Sequence, residues 1–280
     1  MTDTKDEFRF VSLLALELEN GDIALPSLPD VVIKVRKLLE DENSDYGQIS
    51  RAVSMDPALV SRLFVFANSA YYNRANIEIE SLETAISRLG IEVVRNTAMS
   101  IAMQQLYSAD RYSYAHQFLR AVWARGMKLA CMAFAVAHCT GNLNNETAFL
   151  CGLLNQVGKL YIITKAREFP ALLGNRESLE NVLCKWHSQI GKSIIETWGF
   201  PDEIAESACP ASYLGDDPDN PASYVDIVYV AKYLVDNDQE EALELSTDLS
   251  CKRLGISDEN LADVLLAYRE KLKTMQQSLA

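Results

Sequence analysis

Apolar residues recur every three to four positions along most of the chain, and no stretch alternates strongly with the period of two that a half-buried strand needs. Residues 1–24 read as one amphipathic helix, with Phe8, Val11, Leu14, Ala15 and Leu18 on a stripe that Asn20-Gly21-Asp22 interrupts. Leu25-Pro26-Ser27-Leu28-Pro29 is an extended lead-in, because each residue before a proline is pushed out of the helical region. Asp30 then caps a helix whose apolar face is Val31, Val32, Val35, Leu38 and Leu39. A short helix over Tyr46–Ser54 turns Ile49, Ala52 and Val53 inward. Asp56-Pro57 opens the next cleanly: Asp56 accepts from the first free amides, and proline at the first helical position loses no hydrogen bond. Ser81 and Gly90 bracket another helix, and Glu92 to about Tyr107 closes the first half.

Asp110 to Tyr114 is a polar joint and the predicted boundary, dividing the chain into 1–112 and 113–280. Beyond it a long helix runs from about Ala115 to Cys139; its stretch Leu129–Ala137 is apolar on every face, as in a helix buried in the middle of a bundle. Further helices are predicted over Thr147–Lys165, Ser178–Trp198, Pro201–Ala208, Ala222–Val235, Gln239–Thr247 and from Ser257 onward, with Pro210–Pro221 as the most loop-like segment. The prediction is an all-α protein, an N-terminal helical half packed on a C-terminal helical bundle.

Composition narrows the function. With 49% hydrophobic and 23% charged residues the chain is globular, and only 12 Gly and 8 Pro favour long elements over a turn-rich fold. A net charge of −13 opposes binding to phosphate backbones unless basic residues cluster. The nearest clusters, Lys34-Val35-Arg36-Lys37 and Arg269-Glu270-Lys271-Leu272-Lys273, read as solvated helix faces, so no nucleic-acid partner is expected. The start has no apolar run of a secretory signal, and the longest wholly apolar stretch, Leu129–Ala137, is far short of a membrane span; a cytoplasmic protein is expected. Cys131, Cys139, Cys151, Cys184, Cys209 and Cys251 include no CxxC pair and read as reduced, mostly buried thiols. No Walker loop and no Gly-x-Ser-x-Gly elbow is present.

Several distinctive pieces follow one another along the chain. They are Leu25-Pro26-Ser27-Leu28-Pro29, Met55-Asp56-Pro57-Ala58-Leu59, Ala67-Asn68-Ser69-Ala70-Tyr71-Tyr72 and Ala85-Ile86-Ser87-Arg88-Leu89-Gly90. In the second half Phe149-Leu150-Cys151-Gly152-Leu153-Leu154 with Gly158-Lys159 looks like the helix that bears the His-Asp pair of HD-type phosphohydrolases, and His187-Ser188-Gln189-Ile190-Gly191 with Trp198-Gly199-Phe200-Pro201 matches the block that follows. Together, in this order, the pieces resemble the HDOD family; the resemblance spans about residues 24–235 and implies an all-α fold, a second half similar to the HD hydrolase bundle, and a role in bacterial signalling.

HD enzymes hold divalent metals with imidazole and carboxylate donors, and the metal generates the attacking hydroxide. Carried over position by position, the resemblance places Arg125 at the first ligand, beside Trp123, and Asn155-Gln156 at the His-Asp pair. Cys209-Pro210 falls at a later His-His pair, Lys232 at the terminal Asp, and only His187 remains of the set. Arginine has no lone pair to donate and amides bring no charge. No metal and no other cofactor is therefore expected, and the chain reads as a pseudoenzyme.

Blander readings stand beside these. His187 is equally a helix-start residue bonded to backbone, and His116 and His138 have no partner in view. Arg125 and Lys232 are free to extend to solvent, and Asn155 and Gln156 to fill the lost metal's space with hydrogen bonds. A sharper alternative is an anion pocket of Arg125, Lys159 and Lys232 that holds a nucleotide or cyclic dinucleotide without cleaving it. The function expected is a non-catalytic regulatory module that docks other signalling proteins through its N-terminal helices and the groove between its halves. The rival is a divergent metal-dependent phosphohydrolase.

Overall fold

Side-chain caps set seven of the helix starts. Asp45 accepts from the Gln48 amide at 2.7 Å while the Gln48 side chain returns a bond to the Asp45 amide, a reciprocal capping box. Asp56 accepts from the amides of Ala58 and Leu59, with Pro57 at the first helical position, and Ser81 accepts from Thr84. In this computed structural model, residues 2–21, 23, 28–40, 45–75, 77–108, 114–141, 143–209, 217, 219–237 and 248–279 are described. The helices are α1 (Thr2–Asn20), α2 (Asp30–Glu40), α3 (Tyr46–Val53), α4 (Pro57–Asn68), α5 (Leu82–Leu89), α6 (Ile91–Ser108), α7 (Ala115–Thr140) and α8 (Asn145–Leu154). They continue with α9 (Val157–Ala166), α10 (Pro170–Gly174), α11 (Arg176–Thr197), α12 (Asp202–Glu206), α13 (Tyr224–Asp236), α14 (Leu249–Leu254) and α15 (Asp258–Leu279). No strand occurs among the described residues, so the fold is all-α, and none of these helices is long and apolar enough to cross a membrane.

The chain forms two compact units. The first joins α1 to α7–α14 and the opening of α15; the second joins α2–α6, as far as Leu106, to α15 from Leu265 on. This is not the linear division at 112/113. α1 leaves the N-terminal half because its apolar stripe packs on α10 and α11: Phe10 meets Phe169 edge-on at 5.1 Å, and Glu17 receives both Lys165 Nζ at 2.6 Å and the Tyr161 hydroxyl. The last turns of α15 join the N-terminal half because its helices take the exposed carbonyls there. Gln104 donates to Leu279 O at 3.3 Å, and Arg62 donates to Ser278 O.

Within the first unit α7 is the axis. Every residue from Leu129 to Ala137 is buried, as the all-round apolar pattern requires, against α8, α9 and α13. α8 crosses it at Gly152, where a Cβ would lie 2.7 Å from Ala130 Cα. α9 meets α11 more closely still: a Cβ on Gly158 would lie 1.9 Å from His187 O. At both crossings backbone touches backbone, which only glycine permits. A buried ion pair ties the far end together, with Arg253 Nη1 at 2.9 Å from Asp226 Oδ1 and Ser250 Oγ on the same oxygen.

Four sequence expectations change. The helix predicted over Thr147–Lys165 is two helices, α8 and α9, broken at Asn155-Gln156. Gln156 sits at φ −93°, ψ 2°, outside the helical region, and the turn lets Gly158 reach α11. Lys271 is not solvated: it is 2% exposed, with Nζ 3.2 Å from the Tyr72 hydroxyl and over the Tyr72 ring. Cys184 is exposed, Cys139 and Cys209 are half-buried, and only Cys131, Cys151 and Cys251 are fully buried. Short helices α10 and α14 were not expected. The helix predicted over 239–247, residues 110–113 of the joint, residues 25–27 of the lead-in, and 210–216 and 218 of the loop lie outside the described residues.

The crossings give a direct test. Gly152→Ala is expected to destabilise the first unit by about 2–3 kcal/mol and Gly158→Ala by more, because the neighbouring atoms are backbone and cannot swing aside. Gly174→Ala meets nothing within 4 Å and is expected to leave stability unchanged or slightly raised. Thermal unfolding of the three variants by circular dichroism measures the order.

Candidate functional site

The break between α8 and α9 places the site. Asn155 ends α8 and Gln156 precedes α9, so their side chains lie at a turn and not on a continuous helix face. Both are almost wholly buried. Gln156 Nε2 donates to Asn155 Oδ1 at 2.7 Å, and Asn155 Nδ2 donates to Ser207 O at 3.3 Å. The Tyr107 hydroxyl donates to Gln156 O at 3.1 Å, and the Tyr107 ring rests against Trp123 of α7. Gln156 Oε1 is buried and accepts no hydrogen bond.

Arg125, Lys159, His187 and Lys232 come from α7, α9, α11 and α13 and are close enough to influence one another's charge. Arg125 does not extend to solvent. It grips Asp236, one turn beyond Lys232 on α13, with Nη2 at 2.7 and 2.6 Å from the two carboxylate oxygens and Nε at 3.1 Å from Oδ1. Its remaining nitrogen, Nη1, is buried without a partner. Lys159 has its proton affinity pulled down to about 8, first by burial and then by Arg125 and Lys232, against weaker support from Cys184 and Asp236. Lys232 is lowered for the same reasons, burial first, then Arg125.

His187 lies in mid-helix, not at a helix start. It is 7% exposed, and its Nδ1 donates to Leu183 O at 2.6 Å, the backbone bond the blander reading allowed. Burial, then Lys159 and Lys232, lower its pKa to about 4, so the ring is neutral at ordinary pH. Cys209 faces a cavity of about 290 Å³ whose wall also includes Asn155, Tyr229, Lys232, Tyr233 and Asp236; burial pushes its thiol up. The sequence-predicted residues thus gather in one region of the first unit. Asp236 was missed, although its spacing of four from Lys232 puts both on one helix face.

These donors do not fit a divalent metal. Among the described residues no three His, Cys, Asp or Glu side chains gather as a ligand set. His187 offers a single nitrogen, Nε2, the amides bind each other, and the carboxylate is taken by arginine, too few free donors for a ligand set.

Comparison with known proteins places the fold. A candidate metal-dependent phosphohydrolase from Shewanella amazonensis SB2B is 26% identical and superposes with a TM-score of 0.79, covering 96% of this chain and 99% of that one. An HDOD domain protein of unknown function from Geobacter sulfurreducens is 20% identical with a TM-score of 0.64, over 94% of this chain and 97% of its own. An uncharacterized protein of Treponema pallidum (strain Nichols) is 22% identical over 191 residues, 64% of this chain, and the chain spans only 36% of that relative's length. The HDOD domain pattern itself matches residues 25–210, two thirds of the sequence and both sets of motifs, and the chain belongs to the HDOD family.

Proposed function

We propose that this chain is a non-catalytic signalling and regulatory module of the bacterial cytoplasm that acts by docking other signalling proteins. One observation carries the reading: where an HD enzyme holds metal donors, this chain gathers Arg125, Lys159 and Lys232, with the one nearby carboxylate of α13 clamped by Arg125. Each such cation opposes a divalent ion by several kcal/mol at an effective dielectric of ~20 and ~5 Å. His187 alone does not offset that.

The docking role is supported by the family and by the second unit, which leaves Tyr46, Met55, Val65 and Ile77 exposed although they are large and apolar. Its partners are sensor kinases, response regulators or cyclic-dinucleotide enzymes. Met55→Glu with Ile77→Glu is expected to reduce capture of partner proteins from the native cytoplasm by cross-linking at least severalfold, with the fold unchanged by circular dichroism. Undiminished capture contradicts the assignment of this surface.

The catalytic question has its own test. The purified chain is expected to hold no stoichiometric Fe, Mn, Zn or Ni by elemental analysis. Asn155→His with Gln156→Asp is expected to bind metal no more tightly, because Arg125 and Lys232 remain, and to cleave neither a generic phosphodiester nor a cyclic dinucleotide. Metal-dependent turnover by either form would establish the phosphohydrolase reading instead.

The neutral His187 has a signature in pH. Unfolded, it takes a proton near 6.5; folded, only near 4, so the unfolded state binds more protons between those values. Its contribution to stability is therefore full above about 6.5 and is lost as pH falls toward 4. His187→Gln is expected to flatten that part of the stability profile, measured by urea unfolding at a series of pH values.

A further inference from the structure

Two helices of the first unit leave an unfilled seam between them. Helical spacing puts Glu7, Phe8 and Val11 on one face of α1, and Val182, Lys185 and Trp186 on one face of α11. Together these residues line a groove of about 400 Å³ that shares no residue with the cavity at Cys209. Val182 is buried in it, whereas Phe8 is 74% exposed, more than any other large apolar side chain among the described residues. Phe8 therefore borders the groove without filling it. Leu16, also exposed, extends the same stripe of α1 by two turns. An exposed aromatic ring beside an apolar groove marks an interaction surface. The two walls also differ in charge. Glu7 stands on α1 and Lys185 on α11, and neither has an ion-pair partner among the described residues.

We propose that this groove takes a second copy of the chain, with a two-fold axis standing on the groove and α1 of each copy lying over α11 of the other. Phe8 of each copy then enters the other's groove, against the wall that carries Val182 and Trp186, and Glu7 of each meets Lys185 of the other. Two-fold pairing demands a surface that complements itself, so that whatever one residue contacts is contacted in return. Here the knob and the hole, and the acid and the base, lie on the two walls of one groove, which is that condition. A foreign partner would have to supply all four features; a second copy brings them. The net charge of −13 makes two copies repel at a distance, but that repulsion is screened over about 8 Å at physiological ionic strength, and apolar contact acts within that range. The groove seats only a few side chains from each copy, so the dimer is a weak one. The inference uses none of the residues assigned above to docking or to the vacated metal site, and it stands apart from the proposed function.

The test is analytical ultracentrifugation of the full chain at physiological ionic strength, from micromolar to near-millimolar concentration, with the fold of each variant checked by circular dichroism. The wild-type chain is expected to pass from monomer to dimer as concentration rises. Phe8→Asp is expected to raise the dissociation constant by about tenfold. Tyr114→Asp, at another exposed aromatic position of the first unit, is expected to leave it unchanged. Glu7→Lys and Lys185→Glu each bring like charges together twice in the dimer, and each alone is expected to stay monomeric over the range. An equimolar mixture of these two variants is expected to dimerise, because both unlike pairs are restored between chains. A second measurement needs no variant: carbodiimide coupling in a mixture of isotope-labelled and unlabelled wild-type chains is expected to yield an amide from Glu7 to Lys185 that joins a labelled chain to an unlabelled one, read by mass spectrometry. A monomer throughout the range, a dimer indifferent to Phe8→Asp, or a mixture of the two charge variants that fails to associate would each overturn the interface. Coupling of Glu7 to Lys185 only within single chains would overturn it as well.

Discussion

The contact on which the site depends is the approach of α9 to α11, backbone against backbone at Gly158 and His187. No side chain fits between them. For α9 to lie so close, it cannot continue the axis of α8, and the chain turns at Asn155-Gln156. That turn buries two amides where a helix would have carried them along one face, and it puts Lys159, the residue after Gly158, beside the ring of His187. α8 is held in turn by Gly152 against α7, which carries Arg125 five residues before the crossing at Ala130. Two glycines therefore position residues that have no sequence relation to each other.

Metal centres and ion-pair centres differ in what they ask of a protein. A metal brings its own charge and is satisfied by neutral or anionic ligands, whereas the cations here are part of the chain and must be sheltered by it. Asp236 is hydrogen-bonded to Arg125 and supports Lys159 and Lys232 only through space. The lowered proton affinity of Lys159 and Lys232 is the outward sign that their charge is not fully answered, and it places this region among the parts of the molecule that work against stability.

Much of this was legible in the sequence. The caps at Asp56 and Ser81, the all-round apolar run of Leu129–Ala137 and the absence of period-two patterns follow local rules that packing did not override. The chain-order motifs were enough to bring Arg125, Asn155, Gln156, His187, Cys209 and Lys232 into one region. What local pattern does not encode is contact between distant segments. The break within Thr147–Lys165 carries no proline and arises from tertiary contact at Gly158; Arg125 finds Asp236 111 residues away; Lys271, in a run of charges, is buried because Tyr72 offers both a hydroxyl and a ring. The exchange of the terminal helices is of the same kind, since α1 is amphipathic whichever unit it joins.

That exchange has a consequence for synthesis. The second unit draws its helices from the early part of the chain, yet its core takes in Tyr268, Lys271, Met275 and Leu279. On a ribosome those residues emerge well after α2–α6, so these helices cannot finish folding until α15 has been made. The later-made helices α7, α8 and α9 meet one another soon after synthesis, and α11 and α13 complete their packing. Nascent α2–α6 thus wait with their apolar faces incompletely covered while α7–α14 are made, the condition under which a chaperone holds a growing chain.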